Sequence, residues 1–283
     1  MPQRVDAHHH LWSYSPAEYD WIVESMPQLR HDFLPGELQK ALLEGRMDGA
    51  VAVQARQTIE ETNWLLQLAA TCPQMLGVVG WAPIASPEFP HVLEEFAAQS
   101  KLKGLRHVIQ DEPDDDFILG REFNAGVALL KDTGLVYDVL IFEKHLPQTI
   151  EFVDRHPQQT FVLDHVAKPR IKEGLLSPWR KNIRELARRP NVCCKVSGMV
   201  TEADWQQWTS ETLRPYLDTV LEAFGPQRLM FGSDWPVCLL AASYGRWVQT
   251  AEELMASLSA SERQRVMGGT AAEIYHLDTT RHI

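Results

Sequence analysis

Cysteine is scarce in this chain, and the few cysteines are not spaced for a disulfide framework or a thiolate metal site. The four cysteines among 283 residues are Cys72, Cys193, Cys194 and Cys238. Two of them are adjacent, and no pair has the Cys-x-x-Cys spacing of zinc and redox motifs. Disulfide-rich frameworks belong to oxidising compartments. We therefore expect four free thiols and a cytoplasmic location.

The sequence also lacks a long apolar run and an excess of basic residues. No segment has the roughly 20 consecutive apolar residues of a transmembrane helix, and the first residues do not resemble a secretion signal. Lys and Arg number 27 against 38 Asp and Glu, which gives a formal net charge of −11. Such a chain offers no basic face to neutralise phosphates. We expect neither nucleic acid nor membrane as a partner, and a homo-oligomer is left open.

What the sequence does contain is an alternation of two kinds of segment. Short apolar runs rich in β-branched residues predict buried strands at residues 4–7, 49–54, 76–81, 102–108, 135–141, 160–164, 192–196 and 228–232. Helical spacing between them predicts helices at residues 58–71, 88–100, 121–132, 178–189 and 205–224. Near-continuous apolar strands alternating with helices are typical of a parallel sheet covered on both faces. Eight such units at this length favour an α/β fold, a single (β/α)8 TIM-type barrel, as one domain over residues 1–283.

Polar residues follow most of these predicted strands, and in such barrels the chemistry lies at the C-terminal strand ends. His8 and His10 follow the first strand, and residues two apart on a strand face the same side. They form half of a metal site, a pair of proton carriers or a harmless histidine cluster. The other polar or aromatic residues at strand ends are Gln54, Arg56, Trp81, Arg106, His107, Asp164, His165, Lys168, Lys195, Ser197 and Asp234. So many titratable groups on one rim predict an enzyme.

Three of these strand ends resemble motifs of the amidohydrolase superfamily. They are the His-x-His of residues 6–12, the Asp-His-x-x-Lys-Pro of residues 163–169 and the Phe-Gly-Ser-Asp-Trp-Pro of residues 229–236. Residues 103–107 and 137–141 are similar to the sugar-lactonase branch of that superfamily, with L-fuconolactone and L-rhamnonolactone hydrolases as the best match. The resemblance extends from Val5 to Tyr275. It implies a barrel enzyme that opens a sugar 1,4- or 1,5-lactone to the aldonic acid, with a role in L-fucose catabolism.

The resemblance also implies a metal site and a general base. His8, His10, His165 and Asp234 would hold one divalent metal, expected to be zinc, which would polarise the lactone carbonyl and lower the pKa of its water. Asp234 would take the proton as water attacks and return it to the departing ring oxygen. Arg106 stands where two-metal relatives carry a carboxylated lysine, so a second metal is not expected. Catalysis by the same side chains without any metal is left open.

The remaining implied residues bind the substrate. Arg106 and His107, which join Asp234 and His165 in the predicted catalytic set, would hold the carbonyl or the sugar hydroxyls, because a guanidinium suits paired oxygens. The further pocket candidates are Trp12, Gln54, Trp81 and Lys168. The segment at residues 13–36, rich in Tyr, Trp and Pro, either overhangs the barrel mouth or packs on the side of the barrel.

Two other functions remain open from the sequence. Another branch of the superfamily contains metal-dependent decarboxylases of aromatic acids, which release of carbon dioxide from dihydroxybenzoates would identify. The second is a non-catalytic barrel that binds a sugar. For such a protein, an Asp234→Asn variant would change binding alone.

Overall fold

The computed structural model describes residues 3–278 of the chain. Its eight strands form one parallel sheet in which each strand pairs with its neighbours in chain order. The strands are β1 (Val5–His9), β2 (Gly49–Val53), β3 (Met75–Gly80), β4 (Leu102–Val108), β5 (Val136–Leu140), β6 (Phe161–Leu163), β7 (Val192–Val196) and β8 (Leu229–Phe231).

A helix follows every strand, and two more complete the described chain. The helices are α1 (Pro35–Gly45), α2 (Ile59–Thr71), α3 (Phe89–Phe96), α4 (Arg121–Val127), α5 (Leu146–Arg155), α6 (Trp179–Leu186), α7 (Ser210–Phe224), α8 (Tyr244–Leu254), α9 (Ala260–Gln264) and α10 (Thr270–Ile274). None of the helices within residues 3–278 has the length and apolar character needed to span a membrane.

The sheet closes where β1 meets the segment that follows β8. His9 and Trp235 form a parallel bridge. The amide of Asp234 donates to the carbonyl of His8 at 2.8 Å, and the amide of His10 donates to the carbonyl of Trp235 at 2.6 Å. Eight parallel strands closed in this way, each followed by a helix, make a (β/α)8 TIM barrel, so the predicted fold class is confirmed. That residues 1–283 make one domain stays a prediction.

Two apolar cores flank the barrel wall. The outer face of the strands packs on the surrounding helices, while a smaller cluster that includes Val5, Ala7, Val51 and Val53 fills the barrel interior. Tyr275, which follows α10, belongs to the interior cluster. The C-terminal helix therefore packs against the barrel interior.

The predicted elements agree with the structure in their strands and differ in their helices. All eight predicted strands are present, each within two residues of its predicted ends. Of the eight helices that directly follow a strand, three were missed, α1, α5 and α8. The helix predicted from residue 205 begins only at Ser210, because the Asp204 carboxylate accepts the amides of Gln206 and Gln207 in a local turn.

Candidate active site

Four polar side chains from separate parts of the chain meet at the C-terminal end of the barrel. The Nε2 atoms of His8 and His10 are 3.2 Å apart. The Oδ1 atom of Asp234 lies 3.3 Å from Nε2 of His10 and 3.8 Å from Nε2 of His8. It lies 4.0 Å from Nε2 of His165. All four side chains are buried, so the structure brings the predicted set together.

A register shift in β1 directs the two histidines inward. Val5 and Ala7 belong to the interior cluster, and the pairing of β1 with β2 shifts between Asp6 and His9. A bulge of this kind re-aims the side chains that follow it. His8 therefore joins the inner face, and His10, two residues later, lies beside it.

A left-handed turn after β6 places His165 and Lys168 at the same mouth. The four residues from His165 to Lys168 have φ values between 46° and 62°. For residues other than glycine this conformation costs about 1–2 kcal/mol each, and such strain concentrates at functional sites. Trp179 anchors the turn by donating its indole N–H to the carbonyl of Val166 at 2.8 Å. A Cβ on Gly198 would lie 2.7 Å from Nδ1 of His165, so glycine leaves the room that this ring needs.

Hydrogen bonds at Nδ1 leave the Nε2 atoms of two imidazoles directed at Asp234. Nδ1 of His10 is 2.8 Å from the carbonyl oxygen of Val53, to which it donates. Nδ1 of His165 is 2.9 Å from the hydroxyl of Ser197. Partners of this kind fix the ring orientation and the tautomer of metal-binding histidines.

The spacing of the donor atoms fits one divalent metal ion. A tetrahedral site with bonds of about 2.0–2.1 Å has edges of about 3.3 Å. The Nε2 atoms of His8 and His10 with Oδ1 of Asp234 are separated by 3.2, 3.3 and 3.8 Å. The donor set of imidazole nitrogens and a carboxylate oxygen is one that borderline divalent metals accept. The site therefore supports metal binding.

Burial keeps the imidazoles of His8 and His165 neutral, while Asp234 stays charged. Burial lowers the pKa of His165 to about 4 and lowers the pKa of His8 well below its ordinary value. Burial opposes ionisation of Asp234, but the neighbouring imidazoles and the Lys168 ammonium hold its pKa below the usual value. At neutral pH the site thus presents imidazole lone pairs and one carboxylate, the forms needed by a metal ligand or a general base.

A second layer of charged groups lies beneath the cluster, and the sequence did not predict its roles. Asp164 accepts from Nη1 of Arg106 at 2.9 Å and lies 3.4 Å from Nδ1 of His8. Lys195 lies 3.0 Å from the same carboxylate and 2.5 Å from Asp138. All of these side chains are buried. Lys195, which the sequence placed among the titratable groups of the rim, lies buried inside the barrel and is paired with both carboxylates.

The comparisons with known proteins agree with this geometry. The amidohydrolase family model matches residues 5–277. The chain belongs to the amidohydrolase family. It is 44% identical to an L-fucono-1,5-lactonase from Burkholderia multivorans, over 97% of this chain and 96% of that protein. It is 35% identical to an L-fucono-1,5-lactonase from Burkholderia ambifaria, over 98% and 97% of the two chains.

A solved structure shows the same relationship in three dimensions. A crystal structure of an amidohydrolase from Burkholderia multivorans with bound zinc superimposes on this family member with a TM-score of 0.94 at 44% identity. The match covers 98% of this chain and 100% of that chain. The predicted family is therefore confirmed.

In this amidohydrolase the buried cluster opens into a cavity of about 730 Å³. His10, Arg106, His165, Lys168 and Asp234 line its floor and one side. The loops after β1, β2 and β4, with the first turn of α2, supply the facing wall, whose polar and aromatic residues are Glu18, Asp20, Trp21, Arg56, Gln57, Thr58, Glu60, Gln110 and Asp111. The chemistry-bearing side chains thus share one cavity with a polar wall.

Four residues predicted to contact substrate do not line this cavity in the described part of the chain; they are Trp12, Gln54, Trp81 and His107. On β4, neighbouring side chains face opposite ways, so Arg106 faces inward and His107 outward. Nε2 of His107 is 2.6 Å from the Glu112 carboxylate, and its Nδ1 is 3.3 Å from the Trp81 indole nitrogen. Both ring nitrogens are therefore occupied away from the cluster.

The other two displaced residues support the site from behind. Trp12 is fully buried, donates to the carbonyl of His31 at 2.9 Å and contacts the edge of Trp21 at 5.6 Å between ring centroids. Gln54 is buried, and its backbone carbonyl accepts from Nη2 of Arg106 at 2.5 Å. Sequence reasoning selected the buried tryptophan, whereas the indole on the cavity wall is Trp21.

Contacts with Glu61 and Arg56 fasten the segment 13–36 to the barrel beside the cavity. Tyr19 donates its hydroxyl to Oε1 of Glu61 at 3.4 Å, and Glu18 forms an ion pair with Arg56. The other oxygen of Glu61 accepts the amides of Ala55 and Arg56 at 2.9 and 2.7 Å. Because Ala17 to Trp21 contribute to the cavity wall, this segment overhangs the barrel mouth.

We expect Glu61→Gln to flatten the pH dependence of stability. Burial raises the pKa of Glu61 from 4.5 to about 7, so the folded state keeps a proton that the unfolded chain loses. Stability therefore falls as pH rises from 4.5 to about 7, by about 3 kcal/mol from this group. The difference between the free energies of urea unfolding at pH 5 and at pH 8 should therefore be about 3 kcal/mol smaller in the variant than in wild type. The exposed neighbour Glu60, changed to Gln, should keep the wild-type pH dependence, and an equal pH dependence in Glu61→Gln and wild type would contradict the assignment.

Proposed function

We propose that this amidohydrolase hydrolyses L-fucono-1,5-lactone, or a close analogue, to the open aldonic acid. The observation that carries the proposal is the meeting of His8, His10, His165 and Asp234 in one buried cluster, of which His10, His165 and Asp234 line the cavity. The likeness to two L-fucono-1,5-lactonases over nearly the whole chain supports the choice of substrate.

Asp234 is the proposed general base. Its carboxylate is charged at neutral pH and lies on the cavity wall, where a water molecule and the lactone carbonyl meet. Asp234 takes a proton from water as the water oxygen bonds to the carbonyl carbon. When the bond from that carbon to the ring oxygen breaks, Asp234 gives the proton to the ring oxygen. The lactone and one water become one hydroxy acid, and the carboxylate is regenerated.

Arg106 and Lys168 are the proposed groups that hold the reacting carbonyl. Both line the cavity beside Asp234. Two nitrogens of Arg106 are already engaged, by Asp164 at 2.9 Å and by the carbonyl of Gln54 at 2.5 Å, so its guanidinium is fixed in place. A positive group held before the reaction stabilises the oxyanion that develops in the transition state.

Zinc is the proposed metal, held by His8, His10, His165 and Asp234. When bound it acts as a Lewis acid that polarises the lactone carbonyl. The chain's own contribution is to fix the ligand orientation, through Val53 for His10 and through Ser197 for His165. Because all four donors are buried, bulk water competes little with the metal for them.

The facing wall is the proposed binding surface for the sugar ring. The carboxylate of Asp111 and the amides of Gln57 and Gln110 offer hydrogen-bond partners to ring hydroxyls, and Trp21 offers an aromatic surface to the C–H groups of the ring. A cytoplasmic location remains part of the proposal, because all four cysteines are free and buried.

A panel of lactones tests the proposed function. We expect purified protein to release acid from L-fucono-1,5-lactone, with slower release from L-galactono- and L-rhamnonolactones. Pre-incubation with a zinc chelator should lower the rate, and added zinc should restore it. Dihydroxybenzoates serve as the contrasting substrates, from which no carbon dioxide should form. Failure to hydrolyse every lactone tested would reject the proposal.

A further inference from the structure

A continuous line of buried polar side chains joins the C-terminal helix to the candidate active site through the barrel interior. The hydroxyl of Tyr275 donates to the two carboxylate oxygens of Asp138 at 2.8 and 2.9 Å. Asp138 accepts from Nζ of Lys195 at 2.5 Å. Nζ of Lys195 lies 3.0 Å from Oδ1 of Asp164 and 3.2 Å from Nδ1 of His8.

Every member of this line is almost fully buried, so water cannot take the place of any of its contacts. Tyr275 is 1% exposed, and the side chains of Asp138, Lys195, Asp164 and His8 are 0% exposed. Water does not replace a lost hydrogen bond at such depth, so a buried polar group left without its partner destabilises the arrangement around it. Loss of one contact is therefore transmitted to the next rather than absorbed by solvent.

We propose that Tyr275 is a positioning residue, whose hydroxyl holds Asp138 and thereby fixes Lys195, Asp164 and the ring of His8. The inference rests on the lactone hydrolysis proposed above for its catalytic readout. Tyr275 does not touch substrate in this account. It acts on the reaction only through the buried line.

Packing alone does not require the hydroxyl. The ring of Tyr275 sits in the interior cluster among Val5, Val51 and Val136, and Nζ of Lys195 lies 5.5 Å from its centroid. A phenylalanine would keep both of these contacts. The hydroxyl is the part of the side chain that serves Asp138, so Tyr275→Phe separates positioning from packing.

Loss of the hydroxyl has a defined consequence along the line. Asp138 then keeps Lys195 as its remaining partner in this line and is free to rotate, and the paired ammonium moves with it. The contacts of Lys195 with Asp164 and His8 lengthen, and the imidazole of His8 loses the charges that fix its orientation. A loosened metal ligand lowers both metal affinity and the rate, while substrate contacts elsewhere in the cavity are unchanged.

The test is Tyr275→Phe in the full chain, measured in two ways. We expect kcat to fall about tenfold with KM within about twofold of wild type, the lower end of the range for direct partners of metal ligands, because Tyr275 acts through Asp138 and Lys195. The zinc dissociation constant, measured without substrate by competition with a chromogenic chelator, should rise by a similar factor. Tyr216→Phe is the matched control, since the hydroxyl of Tyr216 donates to the carbonyl of Leu175 at 3.2 Å, remote from this line. It should match wild type in both measurements.

The outcomes separate this inference from the proposed function. Wild-type kcat and zinc affinity in Tyr275→Phe would overturn the inference and leave lactone hydrolysis standing. If wild type hydrolyses no lactone but the variant binds zinc more weakly, the proposed function is overturned and the positioning role of Tyr275 is supported. If wild type binds no zinc, the kcat of Tyr275→Phe relative to wild type decides whether Tyr275 is a positioning residue. If Tyr275→Phe does not fold, Asp138→Asn breaks the line one contact nearer to His8 and is judged by the same two measurements.

Discussion

Asp234→Asn is expected to lower kcat for lactone hydrolysis by about 10²- to 10⁴-fold while leaving substrate affinity close to wild type. Asparagine keeps the shape of the side chain and one acceptor oxygen, but it cannot take a proton from water. Steady-state acid release gives kcat, and isothermal titration with a non-hydrolysable lactam analogue gives the affinity. Because the pKa of Asp234 lies below its usual value, the wild-type rate should also hold as pH falls toward the ordinary carboxyl range.

The control for this variant is the same change at an exposed site. Asp132 has a side chain that is 85% exposed and lies 3.9 Å from Lys131, so Asp132→Asn should retain full activity. A rate for Asp234→Asn within tenfold of wild type would remove Asp234 from the proposed role. If the variant lost analogue binding as well as activity, Asp234 would instead contribute to substrate binding in the ground state.

Lys195→Met is expected to destabilise the fold by about 3–5 kcal/mol. Lys195 is fully buried and pairs with Asp138 at 2.5 Å and with Asp164 at 3.0 Å. Methionine fills a similar volume but leaves Asp138 without its charged partner, and a buried carboxylate without compensation is costly. Urea unfolding at pH 7.5 gives the free energy of unfolding directly.

Two further variants show whether the cost arises from the unpaired carboxylate. Lys195→Met combined with Asp138→Asn removes both charges and should recover part of the lost stability. Lys131→Met, at a side chain that is 50% exposed, should change stability by less than about 0.5 kcal/mol. If the free energy of unfolding of Lys195→Met were within about 1 kcal/mol of wild type, that result would contradict a stabilising role for the buried ion pair.

The strands could be predicted because buried strands of a parallel sheet consist almost entirely of apolar residues. Segments such as Gly49–Val53 are apolar throughout and buried on both faces. A strand with one face exposed to water would instead alternate apolar and polar residues. Once eight such strands were recognised, barrel geometry required His8, His165 and Asp234 to lie at one end, although they are far apart in the chain. The convergence of the site thus followed from topology rather than from local sequence.

Side-chain direction at the strand ends was not predictable to the same degree. Arg106 and His107 are adjacent, and composition does not tell which of them faces the interior. Lys195 and Asp138 carry charges, which are rarely buried unless they are paired, and their pairing with each other permits burial. The wall residue Trp21 depends on how a long loop folds over the mouth, and loop conformation has no periodic signal. The helices α1 and α5 were missed although each has proline in its first turn, a position at which proline is typical of a helix start.

Hydrolysis of L-fucono-1,5-lactone in water enriched in oxygen-18 tests the central claim most directly. Attack of water on the carbonyl carbon puts one labelled oxygen in the carboxyl group and leaves the ring-derived hydroxyl unlabelled. The account predicts that mass spectrometry of the acid will find this pattern, formed at a rate that depends on Asp234. Label in the hydroxyl, or acid formed no faster than without protein, would contradict it.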